Sequence, residues 1–275
     1  MSLSRGEARD LLSAHGLRPR RQLGQNFVVD PNTLRRIVRL AGVAEGDRVL
    51  EIGAGLGALT EALLEAGGVV RAVEVDPGLV EILRGRPELA GAQIVEADAQ
   101  RADWGEVVPA AEGPWTLVAN LPYNVATPVV LRILEEAPQV ERILVMVQLE
   151  VAERLAAGPG DEAYGAASVR VAYHATAAVV GRVPPTVFLP QPSVDSGLVE
   201  IVRRPAPAVD PAMASEQEIF ALVNAAFGQR RKMLRRSLSS LVRPEDFVAA
   251  GIEPTQRPEE LDVTAFGRLA AARCA

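Results

Sequence analysis

The sequence predicts an α/β fold: a Rossmann-like, mainly parallel sheet with an antiparallel hairpin at one edge, followed by a small all-helical C-terminal domain. Three observations predict it. Between residues 47 and 204 short β-rich runs alternate with helical stretches, the pattern of a parallel sheet with helices on both faces. Runs such as Ile-Leu-Val-Met-Val at 143–147 are apolar throughout, as in strands buried on both faces. Beyond a stretch rich in Pro and Ala at 204–215, apolar residues recur at helical spacing.

Strands are expected at 48–52, 69–75, 93–97, 115–119, 142–148, 169–178 and 198–203, and helices at 58–66, 77–84, 128–137 and 150–157. No helical stretch stands out between the last two strands, which are therefore expected to form the edge hairpin. The domains are placed at 1–204 and 205–275. In the second, Ile219, Leu222, Val223, Ala226 and Phe227 share one helical face, and Gly228 is expected to end that helix. A basic helix is expected to start near Arg230, with Leu234, Leu238 and Leu241 on its apolar side.

With 275 residues, 48% of them hydrophobic, the chain can form a core without metal or disulfide staples, and its lone cysteine, Cys274, excludes an internal disulfide. No apolar run is long enough for a membrane span, and the N-terminus lacks the apolar segment of a secretory signal, so a cytoplasmic protein is expected. A net charge of −6 weighs against nucleic acid, but the local field matters more than the sum. Residues 219–244 hold no acid and carry Arg230, Arg231, Lys232, Arg235, Arg236 and Arg243; Arg18, Arg20 and Arg21 form a second cluster. A charge run is usually a solvated face. The absence of acids together with the apolar stripe favours RNA.

Where the first strand should turn into the first helix lies Glu51-Ile-Gly53-Ala-Gly55-Leu-Gly57-Ala-Leu-Thr60. Glycines there let a ligand approach the backbone beside free helix N–H groups. Gly53, Gly55 and Ala58 satisfy a dinucleotide fingerprint, whereas Glu51 and Gly57 fit the E-x-G-x-G-x-G loop of methyltransferases. A ligand-free tight turn is the bland alternative. Glu74, near the end of the second strand, can accept ribose hydroxyls of either cofactor. Asp76 is expected to cap the next helix. Asp98 can accept from an adenine amine or simply form an Asx turn.

After the fourth strand comes Asn120-Leu121-Pro122-Tyr123. An exocyclic adenine amine is a poor nucleophile because its lone pair is delocalised into the ring. The Asn120 side-chain oxygen and the Leu121 carbonyl can hold its two hydrogens so that the nitrogen pyramidalises. Pro122 stiffens the loop, and Tyr123 can stack on an extruded base. A plain strand-exit turn would be the better reading of an isolated N-x-P-x; its place at the carboxyl end of a parallel strand, beside the cofactor crevice, favours chemistry.

With these residues the chain resembles the ribosomal RNA adenine dimethylases, in their bacterial KsgA branch. The resemblance runs through LGQNF (23–27), the glycine loop, NLPYNVATP (120–128), QLEVAERL (148–155), AYGAASV, FLPQPSVDSGLV (188–199) and AFGQRRKMLRRSL (225–238). It implies a class I methyltransferase sheet and S-adenosyl-L-methionine as cofactor. Asn26, Val28, Gly53, Gly55, Glu74, Asp98 and Asn120 would bind it. Phe188 would face Tyr123 across a flipped adenine, making Asn120, Leu121, Pro122, Tyr123 and Phe188 the catalytic set. The implied substrate is a pair of adjacent adenines near the 3′ end of small-subunit rRNA, dimethylated during 30S assembly, with Arg230, Arg231, Lys232, Arg235 and Arg236 gripping RNA. A monomer and no metal are expected. Val28, Ala54 and Leu149 depart from the usual Leu, Pro and Lys of the family.

No catalytic carboxylate is nominated, and Asp103 and Glu106 are read as solvated loop charge. Ala126 and Thr127 are small enough to make room for a monomethylated amine. His15 and His174 read as ordinary helix and strand residues, which leaves a dehydrogenase without support. A non-catalytic 30S assembly factor, other amino-group methylases and the Erm enzymes that modify large-subunit RNA are the remaining alternatives.

Overall fold

A computed structural model describes residues 3–20 and 24–274; Arg21 and Leu23 lie outside the described residues. The chain forms two compact units, one of residues 1–152 and 178–202, the other of residues 153–177 and 203–275. The chain crosses for the last time at 202/203, close to the expected boundary at 204. Residues 153–177, however, fold with the second unit.

The first unit opens with α1 (Arg5–Ala14), capped by Ser4, whose hydroxyl accepts from the Glu7 N–H while the Glu7 carboxylate accepts from the Ser4 N–H. A two-residue strand β1 (Phe27–Val28) and α2 (Pro31–Ala41) follow. The alternating region then gives β2 (Arg48–Ile52), α3 (Ala58–Glu65), β3 (Val69–Glu74), α4 (Pro77–Gly85), β4 (Gln93–Glu96), α5 (Trp104–Val107), β5 (Trp115–Asn120), α6 (Ala126–Glu136), β6 (Val140–Gln148) and α7 (Leu149–Ala156). Asp76 caps α4 as expected, accepting from the Gly78 N–H at 3.1 Å. Asp103 is not merely solvated, because it caps α5 through the Gly105 and Glu106 N–H groups.

The expected strand at 169–178 is a helix for most of its length. It divides into α8 (Ala166–His174) and β7 (Ala175–Val183). Its apolar positions do not separate a buried helix from a strand, and burial decides: Val169, Val171, Tyr173 and His174 pack inward on α8. His174 is therefore a core helix residue in edge contact with Tyr173 and Phe220. The remaining strands are β8 (Phe188–Leu189), antiparallel to β1, and β9 (Ser196–Arg203).

The seven-stranded sheet runs β4-β3-β2-β5-β6-β9-β7. The pairs from β4 to β6 are parallel, while β9 runs antiparallel to β6, with Val145 opposite Val199. Successive strands run outward from β2 through β3 to β4, then restart at β5 on its other side. The switch point therefore lies between the carboxyl ends of β2 and β5, where this architecture opens a crevice.

In the second unit α9 (Glu216–Phe227) buries Ile219, Leu222, Val223 and Ala226, as its periodicity predicts, and ends before Gly228. The basic helix does not form. Residues 229–232 are a turn, and only α10 (Leu234–Ser237) is helical. Tertiary contacts override propensity: the N–H groups of Leu234 and Arg235 donate to the carbonyls of Gln256 and Pro254 instead of to a preceding helical turn. Two more helices, α11 (Pro244–Ala250) and α12 (Val263–Cys274), complete a core that contains Leu234, Leu238, Phe247 and Phe266.

Candidate active site

The glycine loop follows β2 directly. Gly53, Gly55 and Gly57 have φ of 77°, 61° and 81°, which lifts the chain away from the sheet before α3 begins. No side chain caps α3, so its first N–H groups stay available. A side chain at Gly57 would place its Cβ 2.4 Å from Leu89 Cδ1, whereas at Gly53 the Cβ would meet only the Asn120 carbonyl and Pro122 Cδ, each at 3.6 Å. Gly57 thus answers to packing, and Gly53 faces the gap between the two loops. Arg86, only partly exposed, holds the loop from behind, donating to the Leu56 carbonyl at 2.7 Å and to Glu61 at 2.6 Å.

Glu74 ends β3, buried. Its Oε2 accepts from the Gly55 N–H at 2.9 Å, and its Oε1 from the N–H groups of Val75 and Asp76. A carboxylate offers about four acceptor positions, so the remaining one lies on Oε2. Burial pushes the Glu74 pKa up, opposed by these three N–H groups. Glu51 lies deeper and accepts from Thr60 Oγ1 at 2.6 Å; burial, with the Glu74 charge nearby, pushes its pKa up to about 8. Asp98 forms the expected Asx turn, accepting from the Gln100 N–H at 2.9 Å, and still lines the cavity with its other oxygen 3.8 Å from Arg101. Arg132 on α6 ties down this turn by donating to the carbonyls of Ala99 and Ala102.

Asn120 ends β5 at the switch point. Its Nδ2 donates to the Asn26 carbonyl at 2.9 Å, which leaves Oδ1 as the acceptor end. The Leu121 N–H donates to the Met146 carbonyl on β6, fixing the start of the loop. Tyr123 is half-buried, with its hydroxyl 2.8 Å from Ser196 Oγ on β9. Burial pushes the phenol pKa up, so it stays protonated at neutral pH.

One cavity joins these groups. Asn26 and Val28 of the N-terminal arm that carries β1 ahead of the sheet, Gly53 and Gly55 of the loop, and the acidic side chains Glu51, Glu74 and Asp98 line it. Its far wall is the segment from Asn120 to Tyr123. Leu3 and, on α1, Ala8 also line it, which no sequence motif announced. No Arg, Lys or His lines it among the described residues. Phe188 is not part of it: it is fully buried opposite Val28 in the β1–β8 ladder. Ala126 is also buried, and neither it nor Thr127 is in the lining. Leu149 packs its apolar side chain beside Gly197 on β9.

The cationic residues expected to meet RNA divide between the units. Arg230, Arg231, Lys232, Arg235 and Arg236 are all exposed in the second unit, with Arg230 also donating to the Glu162 carbonyl at 2.7 Å. In the first unit Arg18 is exposed, and Arg20 pairs with Asp76 at 3.4 Å.

Known proteins share this sequence and fold. The family described as Ribosomal RNA adenine dimethylase matches residues 16–270. The Ribosomal RNA small subunit methyltransferase A of Kineococcus radiotolerans is 50% identical, over 98% of this chain and 91% of that protein. Among solved structures, a dimethyladenosine transferase from Plasmodium falciparum shares the fold with a TM-score of 0.72 at 22% identity, over 88% of this chain and 95% of the other. The 23S rRNA methyltransferase ErmE has a TM-score of 0.66 at 25% identity, over 90% and 100% respectively. No helix among the described residues is long and apolar enough to cross a membrane.

Proposed function

Because the chain belongs to the ribosomal RNA adenine dimethylase family, we propose that it uses S-adenosyl-L-methionine to dimethylate the exocyclic amines of two adjacent adenines near the 3′ end of small-subunit rRNA. It acts as a cytoplasmic monomer on assembling 30S particles. The observation that carries the cofactor assignment is the lining of the cavity: the acidic side chains Glu74 and Asp98 and the largely protonated Glu51 line it, and no cationic side chain does among the described residues. That lining suits a ligand with a sulfonium and an ammonium, and is unfavourable for the diphosphate of a dinucleotide. The choice of small-subunit RNA rests on the name of a relative 50% identical to this chain, against 25% for the 23S enzyme.

When bound, the cofactor supplies an electrophilic methyl group. Glu74 would receive a ribose hydroxyl at the open position of Oε2, and Asp98 the adenine amine. Gly53 would let the ligand lie against the backbone, while Gly55, where a Cβ would fall 2.9 Å from Phe27 Cδ1, leaves room for that ring in the cavity wall. At the mouth, Asn120 Oδ1 and the Leu121 carbonyl accept the two hydrogens of the target amine, turning its lone pair toward the methyl group. The target must leave its stack to arrive there, and Tyr123 receives its face. Methyl transfer would exchange the cofactor's C–S bond for a new N–C bond, and the nitrogen, held by Asn120 and Leu121, would lose its proton to water. No general base is required, because holding the reactants in line supplies most of the acceleration. Arg231, Lys232, Arg235 and Arg236 neutralise phosphates outside the site.

The test is transfer of labelled methyl from S-adenosyl-L-methionine to 30S subunits from a strain lacking this modification, with 50S subunits in parallel. Dimethyladenosine in small-subunit RNA is the expected product. Label confined to 50S moves the activity to large-subunit RNA. No label despite tight 30S binding leaves a non-catalytic assembly factor.

A further inference from the structure

We propose that Ser196 is a positioning residue for the catalytic loop: its hydroxyl tethers Tyr123 to the sheet and fixes the position and long axis of the ring on which the target adenine stacks. The proposal rests on the reading of Tyr123 as the stacking surface.

The geometry comes first. Tyr123 is attached at one end to a loop stiffened by Pro122 and by the bond from the Leu121 N–H to Met146. At its other end the hydroxyl lies 2.8 Å from Ser196 Oγ. A ring held only at Cβ turns about two side-chain torsions. The phenol oxygen lies on the ring's long axis, so holding it fixes where that axis points, and the preference of a phenol O–H for the ring plane restrains the remaining rotation. Stacking needs the ring placed before the base arrives, since ordering it afterwards would consume binding energy.

The anchor is itself immobile. Ser196 is fully buried at the end of β9, opposite Gln148 of β6. The next residue, Gly197, lies so close to α7 that a Cβ on it would fall 2.5 Å from Ala152 Cβ. The preceding residue, Asp195, accepts from the Leu149 N–H at 3.0 Å and binds Arg182 Nε at 2.6 Å. Ser196 is therefore held from both sides by contacts that do not involve Tyr123. Either hydroxyl can donate to the other. The phenol thus spends its polar group on the sheet, which explains a tyrosine here without asking it to move a proton. The high phenol pKa supports the same division of labour.

The test is a double-mutant cycle on the full-length protein with unmodified 30S subunits. Ser196→Ala and Tyr123→Phe should each lower kcat on the order of tenfold, equivalent to about 1.4 kcal/mol. The KM for S-adenosyl-L-methionine should stay within about twofold, and the double variant should be no slower than either single. Ser196→Thr, which keeps the hydroxyl, should recover most of the rate. Two single variants at wild-type rate, or a double variant whose loss is the product of both, would overturn the tether. Tyr123→Ala separates this from the underlying reading. If it cripples kcat while the cycle shows no coupling, only the tether fails. If it leaves kcat intact, the stacking surface itself is wrong and the tether falls with it.

Discussion

Two alanine substitutions in one loop should fail in different ways. At Gly57, φ is 81° and a Cβ would lie 2.4 Å from Leu89 Cδ1 and 2.9 Å from Leu83 Cδ2, both on buried leucines. A left-handed backbone costs a non-glycine residue about 1–2 kcal/mol, and forcing a methyl into a packed core about 1–3 kcal/mol. Gly57→Ala should therefore destabilise the cofactor-free protein by about 2–5 kcal/mol. At Gly53, φ is 77° but the nearest atoms would be 3.6 Å away, an ordinary contact. Gly53→Ala should cost only the backbone share, about 1–2 kcal/mol. Its methyl would instead narrow the gap between the glycine loop and the Asn120–Tyr123 segment, weakening cofactor binding on the order of tenfold. Urea denaturation without cofactor measures the first quantity, and calorimetric titration of S-adenosyl-L-methionine the second. Equal stability losses, or a larger loss at Gly53, would refute the division into a packing glycine and a ligand glycine.

Other perturbations test the remaining parts. Asn120→Ala should lower kcat by about 10²–10³-fold, as loss of one preorganised polar group does, while cofactor binding by titration largely survives. Arg86→Ala takes the cation away from the buried Glu61 and frees the Leu56 carbonyl; a loss of about 3–5 kcal/mol in urea denaturation is expected, most of it recovered in Arg86→Met/Glu61→Leu. Replacing Arg231, Lys232 and Arg235 by Ala should weaken RNA binding and reduce the log–log salt slope by about 2, or roughly 0.7 per cation. The Glu51 pKa rises from 4.5 to about 8 on folding, so the folded state holds the extra proton. Its stabilising contribution is whole below pH 4.5 and fades as pH climbs toward 8. The thermal midpoint of the cofactor-free protein should fall across that window, and less so in Glu51→Gln. A cationic cofactor favours the ionised form, so its affinity should increase with pH over the upper part of the window, and this increase should disappear in Glu51→Gln.

The elements legible in the sequence were those where one local signal sufficed. The apolar runs of β2, β5 and β6 needed no partner to be recognised, and the glycines from Glu51 to Thr60 announced the turn into α3. Residues 169–174 show the limit, because an apolar run of that length fits a strand or a buried helix equally well. The turn at 229–232 shows another: its residues suit a helix, but the backbone of Leu234 and Arg235 finds carbonyls far along the chain.

The sequence by itself determined the class of fold and the family, and pointed to the loop at Asn120–Tyr123, because each rests on residue types at fixed spacing. Only the tertiary structure decided which groups meet. It set Ser196 against Tyr123, Arg86 under the glycine loop and Arg132 under the Asp98 turn. It brought α1 and the arm to the cavity, and kept Phe188 out of it in the ladder with Val28. These are contacts between residues far apart in sequence, selected by burial and hydrogen-bond satisfaction after the sheet has formed. Spacing along the chain carries no record of them.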